Sequence, residues 1–372
     1  MNFPWFILTV GFALWFPTHA LGIDISSGNQ PLYQQYSFGR DETVIDLGSQ
    51  PLWLPAGMVM EVMRRDPLLA EEMAREGVEV RVHPFLKGSD VNNFLHLGRL
   101  EGGIGGDMPA IAACTRDRVR VVSLMDLDFT TIVARHWMPL SELRGKTIGV
   151  PFGANAHHGL LQALAVANLP QEAVQLVNMD IQELPEALRE GRIDAFSAWE
   201  PISSLAIRRD GARAIHRVLS SGYLYFSRTF HENHPQWVRR IIAAQVRALD
   251  WLADTEENTL RAARWVNESV RVLIGKELDL TDEEIARLSR WGLRNIGQTP
   301  LIPTAQREDD GYLARATAFL ASTGKIPATT TWNDLRGCFR QEDAILVLEY
   351  PSLYHIDRIA IPTEKAIGRH LP

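Results

Sequence analysis

Between Arg144 and Pro201 the sequence RGKTIGVPFGANAHHGLLQALAVANLPQEAVQLVNMDIQELPEALREGRIDAFSAWEP alternates short β-branched runs with helical periodicity. That alternation restricts the fold more than any other feature of the chain. Thr147–Val150 reads as a strand, and the Pro151–Asn155 loop after it carries Pro and Gly. A helix starts near Ala156, with Leu160, Leu161, Leu164 and Ala165 at helical spacing, and ends at Leu169–Pro170. Val174–Val177 supplies a second strand and Leu184–Glu190 a second helix, stopped by Gly191. Ile193–Ala198 is a third strand, ending at a Trp-Glu-Pro corner. Strands alternating with helices imply a parallel sheet, with a ligand crevice outside the carboxyl ends of the strands. The Phe152–Asn155 loop then delivers a helix N-terminus, with its unpaired N–H groups, to that crevice.

The rest of the chain extends the same pattern. Thr43–Leu47 reads as a first strand entering the loop Gly48–Trp53, followed by a helix with Met58, Val59, Val62 and Met63 on one face. Val78–Val82 alternates as a strand, and a Gly88-Ser89-Asp90 loop leads into a helix through Phe94 and Leu97. Gly102–Gly106 is a glycine-rich strand running into Asp107-Met108-Pro109-Ala110, where Pro109 fits the first turn of a helix. Val119–Leu124 is another strand. A first lobe thus repeats the arrangement of the second, with crossovers expected near Asp126–Thr131 and Ser220–Tyr225. Beyond the second crossover the chain turns helical over Gln236–Asp254, Thr259–Leu273, Asp282–Leu293 and Leu313–Leu320. The tail shows strand-like runs at Ala344–Leu348 and Arg358–Ile361.

Composition removes several function classes. A net charge of −7 and the absence of a basic patch with interleaved aromatics argue against nucleic acid. With 372 residues, 46% of them hydrophobic, the chain can bury a core large enough for two lobes. Phe3–Phe16 is an apolar run of signal-peptide length, too short to span a bilayer, followed by the small-residue site Thr18-His19-Ala20. Export with cleavage after Ala20 is expected, an uncleaved anchor being the alternative because the n-region lacks Lys and Arg. No Cys follows the run, which argues against a lipid anchor. Leu21–Glu42 reads as an extended polar leader. Cys114 and Cys338 lie far apart; Cys114 sits in an apolar helix, which favours a buried thiol over a disulfide. Neither cysteine has metal-ligand or redox spacing.

The segment LRGKTIGVPFGANAHHGLLQAL…VQLVNMD…ALREGRIDAFSAWEP resembles the periplasmic solute-binding proteins for aliphatic sulfonates, taurine and nitrate, a group that includes the thiamine-pyrimidine-precursor binders. Gly106-Asp107-Met108-Pro109-Ala110 and the stretch from Ser227 to Pro235 support the likeness, which covers roughly Thr43 to Leu335. The resemblance implies an α/β, two-lobed type II periplasmic binding protein fold with a helical C-terminal portion. Lobe 1 is expected to comprise residues 43–127 and 220–337, lobe 2 residues 128–219, and residues 338–372 form an extension of unknown role. It further implies capture of a small anionic or sulfur- or nitrogen-containing organic solute and delivery to an ABC permease in the inner membrane. A periplasmic monomer without a cofactor is expected. The alternatives are a ligand-sensing subunit of a membrane receptor and an enzyme on the same fold. The pyrimidine synthase relatives use a Cys-rich motif that is absent here, and no nucleophile–base pair carries a recognisable signature.

Ligand contact is expected first from Phe152, Ala154 and Asn155. Sulfonate binders usually show Ser-Thr where this chain has Ala154-Asn155, so two hydroxyl donors are missing. Asn155 still donates through its amide. Helix ends contribute about 0.3–1 kcal/mol each to anion binding, and micromolar affinity needs roughly 8 kcal/mol, so the sequence permits an anion without demanding one. Asp107 and Met108 are further candidates, Asp107 having the alternative of capping its helix. Gln50, Trp53 and Ser89 lie in the strand-to-helix loops of the first lobe. His157 shares a helix face with Leu160, Leu161 and Leu164, and is either a pocket contact or a structural histidine at the cleft edge. Metal binding by His157 and His158 is disfavoured, because adjacent helical positions point about 100° apart. His231 and His234 belong to a turn seen across the family and are not read as metal ligands. Trp199 is placed as the pocket floor. Glu200 meets a solute amine or, the favoured reading, satisfies backbone N–H groups across the cleft.

Overall fold

The computed structural model describes residues 31–39, 43–358, 360 and 361. The expected signal segment and most of the leader lie outside them. Eight strands form one twisted sheet: β1 (Val44–Ser49), β2 (Glu79–Pro84), β3 (Gly102–Gly106), β4 (Val119–Ala134), β5 (Thr147–Val150), β6 (Gln175–Asn178), β7 (Ala195–Ala198) and β8 (Arg213–Ser227). Their order is β2-β1-β3-β8-β4-β7-β5-β6. β1 lies parallel to β2 and β3, and β5 parallel to β6 and β7. Parallel pairs need crossover connections. The strands are connected by the helices α1 (Ala56–Met63), α2 (Pro67–Ala74), α3 (Gly88–His96), α4 (Asp107–Cys114), α5 (Asn155–Val166), α6 (Leu184–Arg189) and α7 (Ile202–Asp210).

Two strands, of 16 and 15 residues, are far longer than the others. β4 and β8 pair antiparallel from Val119–Ser227 to Ala134–Arg213, with register shifts between Val121 and Ser123, Leu124 and Asp126, and Ile132 and Val133. At about 3.3 Å per residue they run roughly 50 Å, long enough to belong to both halves of the sheet. The expected crossovers are the middles of these strands. The fold is therefore two-lobed, with the loops at the carboxyl ends of β1, β3, β5 and β7 facing one another across the strand pair.

The remaining helices are α8 (Arg228–Asn233), α9 (Pro235–Asp254), α10 (Glu256–Ile274), α11 (Asp282–Ile296), α12 (Thr304–Arg307), α13 (Tyr312–Ser322), α14 (Trp332–Leu335), α15 (Glu342–Glu349) and α16 (Pro351–Tyr354). α9 lies on α1 and α2, and buries Arg247 against Asp66 with an Nη2–Oδ2 distance of 2.6 Å. No helix among the described residues is long and apolar enough to cross a membrane.

Three sequence expectations are corrected. Cys114 and Cys338 form a disulfide, with Cα atoms 5.9 Å apart. Phe339 bridges to Val121, and the Arg340 N–H donates to the Val121 carbonyl, so the segment after α14 joins lobe 1 beside the end of α4. The apolar environment that suggested a free thiol is the environment of the crosslink. Ala344–Leu348 is helical, not a strand. A continuous apolar run does not distinguish the two periods, and here Ala344 and Val347 share the buried face. Arg358, Ala360 and Ile361 are outside any strand. The third concerns the leader, whose described part is packed. Tyr33 is buried against Phe85 and Phe94, donates to Asp90 and accepts from the Leu86 N–H.

Candidate functional site

The facing loops meet directly. From lobe 1 come the ends of β1 and β3 and the start of α3; from lobe 2 come the β5–α5 and β7–α7 connections. Leu54 N–H donates to the Glu200 carbonyl at 2.9 Å, and the Trp199 indole N–H donates to the Leu52 carbonyl at 2.7 Å. Lys87, at the start of α3, lies 3.9 Å from Asp90 and 3.7 Å from Asp180, which follows β6. This last pair joins the lobes through a buried ammonium.

Asp107 is the densest node of the seam. Its side chain is 1% exposed, and one oxygen accepts from the Met108 N–H at 2.6 Å. His158 Nδ1 of lobe 2 approaches that same oxygen at 3.0 Å, and the Tyr312 hydroxyl of α13 donates to the other. Three chain segments distant in sequence thus converge on one carboxylate. Beside it, Gly106 permits close approach: a β-carbon there would fall 2.7 Å from Cβ and Cγ of Asn155. The neighbouring Gly153 adopts φ 77°, which favours glycine, and faces Ser89.

Placed individually, the expected site residues divide into two groups. Ser89, Asp107, Phe152, Ala154, Asn155 and His157 lie along the seam. Phe152 is 38% exposed at its edge and stacks on His157 with ring centres 4.8 Å apart. Gln50, Trp53, Met108, Trp199 and Glu200 are engaged in holding the architecture. Gln50 donates to the Ile104 carbonyl at 2.7 Å and Met108 belongs to the apolar cluster beneath α4. Trp53 donates to Asp126 at 3.0 Å, and its ring covers Gly222 of β8. Trp199 joins the lobes. Glu200 accepts from the Ser204 N–H and hydroxyl in α7, so its carboxylate satisfies its own helix while its carbonyl crosses the cleft. His231, by contrast, lies 2.8 Å from Asp343 and His234 stacks on Trp237.

Sequence reading missed Lys87, Asp126, His158, Asp180 and Tyr312. His158 had a local signal: about 100° of helical rotation turns it from the His157 direction toward lobe 1. Tyr312 had none. Burial pushes the Asp126 carboxyl well above the usual carboxylate range, helped by the charges of Asp128 and Asp107 and opposed by Trp53. Asp128 is lifted to about 7, by burial and then by Glu200.

Burial, aided by the charges of Lys325 and His158, lowers His157 to about 3, so the ring is neutral near pH 7. Its Nδ1 accepts from the Gly153 N–H at 3.3 Å, which places the proton on Nε2. Between pH 6.5 and 3 the unfolded histidine binds a proton that the folded one refuses. The stabilisation is complete above 6.5 and is lost as the pH falls through that window. The variant His157→Gln should therefore lose about 1–3 kcal/mol less stability than the parent between pH 7 and pH 4. Urea unfolding at the two pH values checks this; equal losses would exclude His157 from the acid response.

Several buried polar atoms along this seam have no hydrogen-bond partner among the described residues: Ser89 Oγ, Asn155 Nδ2, His157 Nε2 and His158 Nε2. Each unpaired buried group costs about 1–3 kcal/mol. These four stand where the two lobes meet; others, such as Arg120 Nε and Asn267 Oδ1, lie elsewhere in the chain.

Comparison with known proteins agrees with this geometry. The NMT1-like family model matches residues 70–267. A Brucella abortus (strain 2308) protein named only as a binding protein is 24% identical over 238 residues, covering 59% of this chain and 73% of that one. The taurine-binding periplasmic protein of Escherichia coli K12 is 27% identical over 155 residues, 41% of this chain and 47% of its own. Among solved structures, the alkanesulfonate-binding protein SsuA from Xanthomonas axonopodis pv. citri, bound to MOPS, aligns with a TM-score of 0.62 at 17% identity. That alignment covers 78% of this chain and 96% of SsuA, and shows a shared fold.

Proposed function

The chain belongs to the NMT1-like family, and from that premise we propose that it is the solute-binding component of an ABC import system. In this reading the exported protein closes its lobes over one small organic solute in the periplasm. It then presents that solute to an inner-membrane permease without chemical turnover. The observation that carries the reading is the row of unpaired buried polar atoms where the lobes meet, since a bound solute would supply their partners. The relatives named as binding proteins, one for taurine, support it. We assign solute contact to Ser89, Asn155 and His157, with Phe152 at the edge. Trp53, Asp107, Trp199 and Glu200 are assigned to closure and to the strand pair on which the lobes turn. No nucleophile–base arrangement accompanies these groups among the described residues, and binding without reaction is their simplest use.

The test combines a ligand screen with a variant that blocks closure. Sulfonates, taurine, nitrate, amides and pyrimidines are screened by thermal shift; a ligand at 100 times its Kd adds about 2.7 kcal/mol of stability. Gly106 has φ −69° and ψ −176°, so alanine is tolerated by the backbone, but its β-carbon would strike Asn155. Gly106→Ala is therefore expected to weaken binding of the identified solute by more than about tenfold while leaving the unliganded protein folded. A chain that responds to no compound in a broad screen, or that turns a bound compound over, would end the import reading.

A further inference from the structure

The α5 N-terminus, the obvious place for an anion, is already occupied by the chain itself. Phe152 N–H donates to Asn178 Oδ1 at 3.0 Å, Gly153 N–H to His157 Nδ1, and Ala154 N–H to the Pro151 carbonyl. Ala156 N–H donates to Asn155 Oδ1 at 3.1 Å, and both His157 and His158 N–H groups donate to the Ala154 carbonyl. Six of the seven backbone donors from Phe152 to His158 are thereby taken. At the start of α4 the Met108 N–H is held by Asp107, and Pro109 carries no N–H.

Charge points the same way. The Asp107 carboxylate, Asp90 and Asp180 line the meeting surfaces, and the Lys87 ammonium is shared between the last two. Lys325, whose charge reaches His157, also feels Glu172. Of the unpaired seam atoms Ser89 Oγ, Asn155 Nδ2, His157 Nε2 and His158 Nε2, those of Asn155 and His157 are neutral N–H donors. Asn155, 5% exposed, has its oxygen on Ala156 N–H, so its Nδ2 faces the Gly106 side of lobe 1. His157, 4% exposed, presents Nε2–H.

We infer that this seam turns anions away and takes a solute of no net negative charge, whose carbonyl, sulfonyl or ring-nitrogen atoms accept hydrogen bonds from Asn155 and His157. The inference rests on the import reading and names the class of solute within it. An anion would sit beside Asp107 with neutral donors and few free backbone N–H groups to offset that charge.

The test uses ethanesulfonate as probe on the parent and on Asn155→Thr/Asp107→Asn. The double variant releases the Ala156 N–H, adds a hydroxyl and removes the carboxylate charge. Asn155→Ser alone serves as a second variant should the first fold poorly. The parent is expected to give no calorimetric binding, and the variant to bind at least about tenfold more tightly than the parent's detection limit. Binding of ethanesulfonate by the parent within about threefold of the variant overturns the inference. So does a folded variant that gains nothing, since charge and filled donors are then not what excludes the anion. Failure of the import reading looks different: the parent answers to no small solute of any charge.

Discussion

Replacing Arg247 with leucine is expected to destabilise the folded chain by about 3–5 kcal/mol, the usual cost of removing one partner from a buried ion pair. Arg247 is 1% exposed; its Nε donates to Asp66 Oδ2 at 2.7 Å and its Nη1 to the Tyr354 carbonyl at 2.9 Å. Asp66 is itself buried and caps α2 by accepting from the Leu68 N–H. Leucine fills much of the volume but leaves that carboxylate without a counter-charge and Tyr354 without a donor. The double variant Asp66→Asn/Arg247→Leu keeps a capping oxygen and removes the stranded charge. It should recover at least about half of the loss. Urea unfolding of both variants decides the matter: equal losses would mean that the charge pair is not the source. Because Tyr354 lies in α16, the single variant should also expose the C-terminal segment to proteolysis.

The second large effect is expected from the crosslink. Cys114 and Cys338 are 224 positions apart, so the disulfide closes most of the chain into one loop. The double variant Cys114→Ser/Cys338→Ser should lose about 3–5 kcal/mol, chiefly through a less constrained unfolded state. Reductant should lower the melting temperature of the parent toward that of the variant and leave the variant unchanged. A parent indifferent to reductant would remove the bond from the account of stability. The loss bears on the site as well, since α4 has the crosslink at one end and Asp107 at the other.

The layered α/β fold was legible because its signals are local. Alternation in Thr147–Val150, helical spacing in Leu160–Leu164 and breaks at Gly191 and Pro170 each depend on a few neighbouring residues. The lobe repeat and the two crossovers followed from counting such units. The Phe152–Asn155 loop was legible for the same reason, as a strand end followed by a helix start. What that loop offers a solute was not. The N–H groups of Phe152, Gly153 and Ala154 are consumed by Asn178, His157 and the Pro151 carbonyl, and only the folded chain shows which acceptors arrive. Asp107 was found but not its partners, because Tyr312 lies 205 residues away and carries no motif. Trp199 and Glu200 were expected at the crevice as solute contacts, whereas the indole spends its donor on Leu52 and the carboxylate on Ser204. The disulfide and the packing of Tyr33 on Phe85 likewise depend on contacts that no short window contains.

Ala134 and Arg213 are register partners at the far end of the β4–β8 ladder. The chain therefore leaves the end of β4 and returns at the start of β8 through a single doorway, two residues wide. Everything between those positions is a cassette whose two ends already touch. Such a cassette can be exchanged for that of a relative at one doorway, provided that the β4–β7 ladder, Thr131–Ala134 against Ala195–Ala198, is remade, and without rethreading the rest of the molecule. Of the residues proposed for solute contact, Phe152, Asn155 and His157 travel inside it and Ser89 stays behind. On the import reading proposed above, solute choice is divided between two separately inheritable pieces.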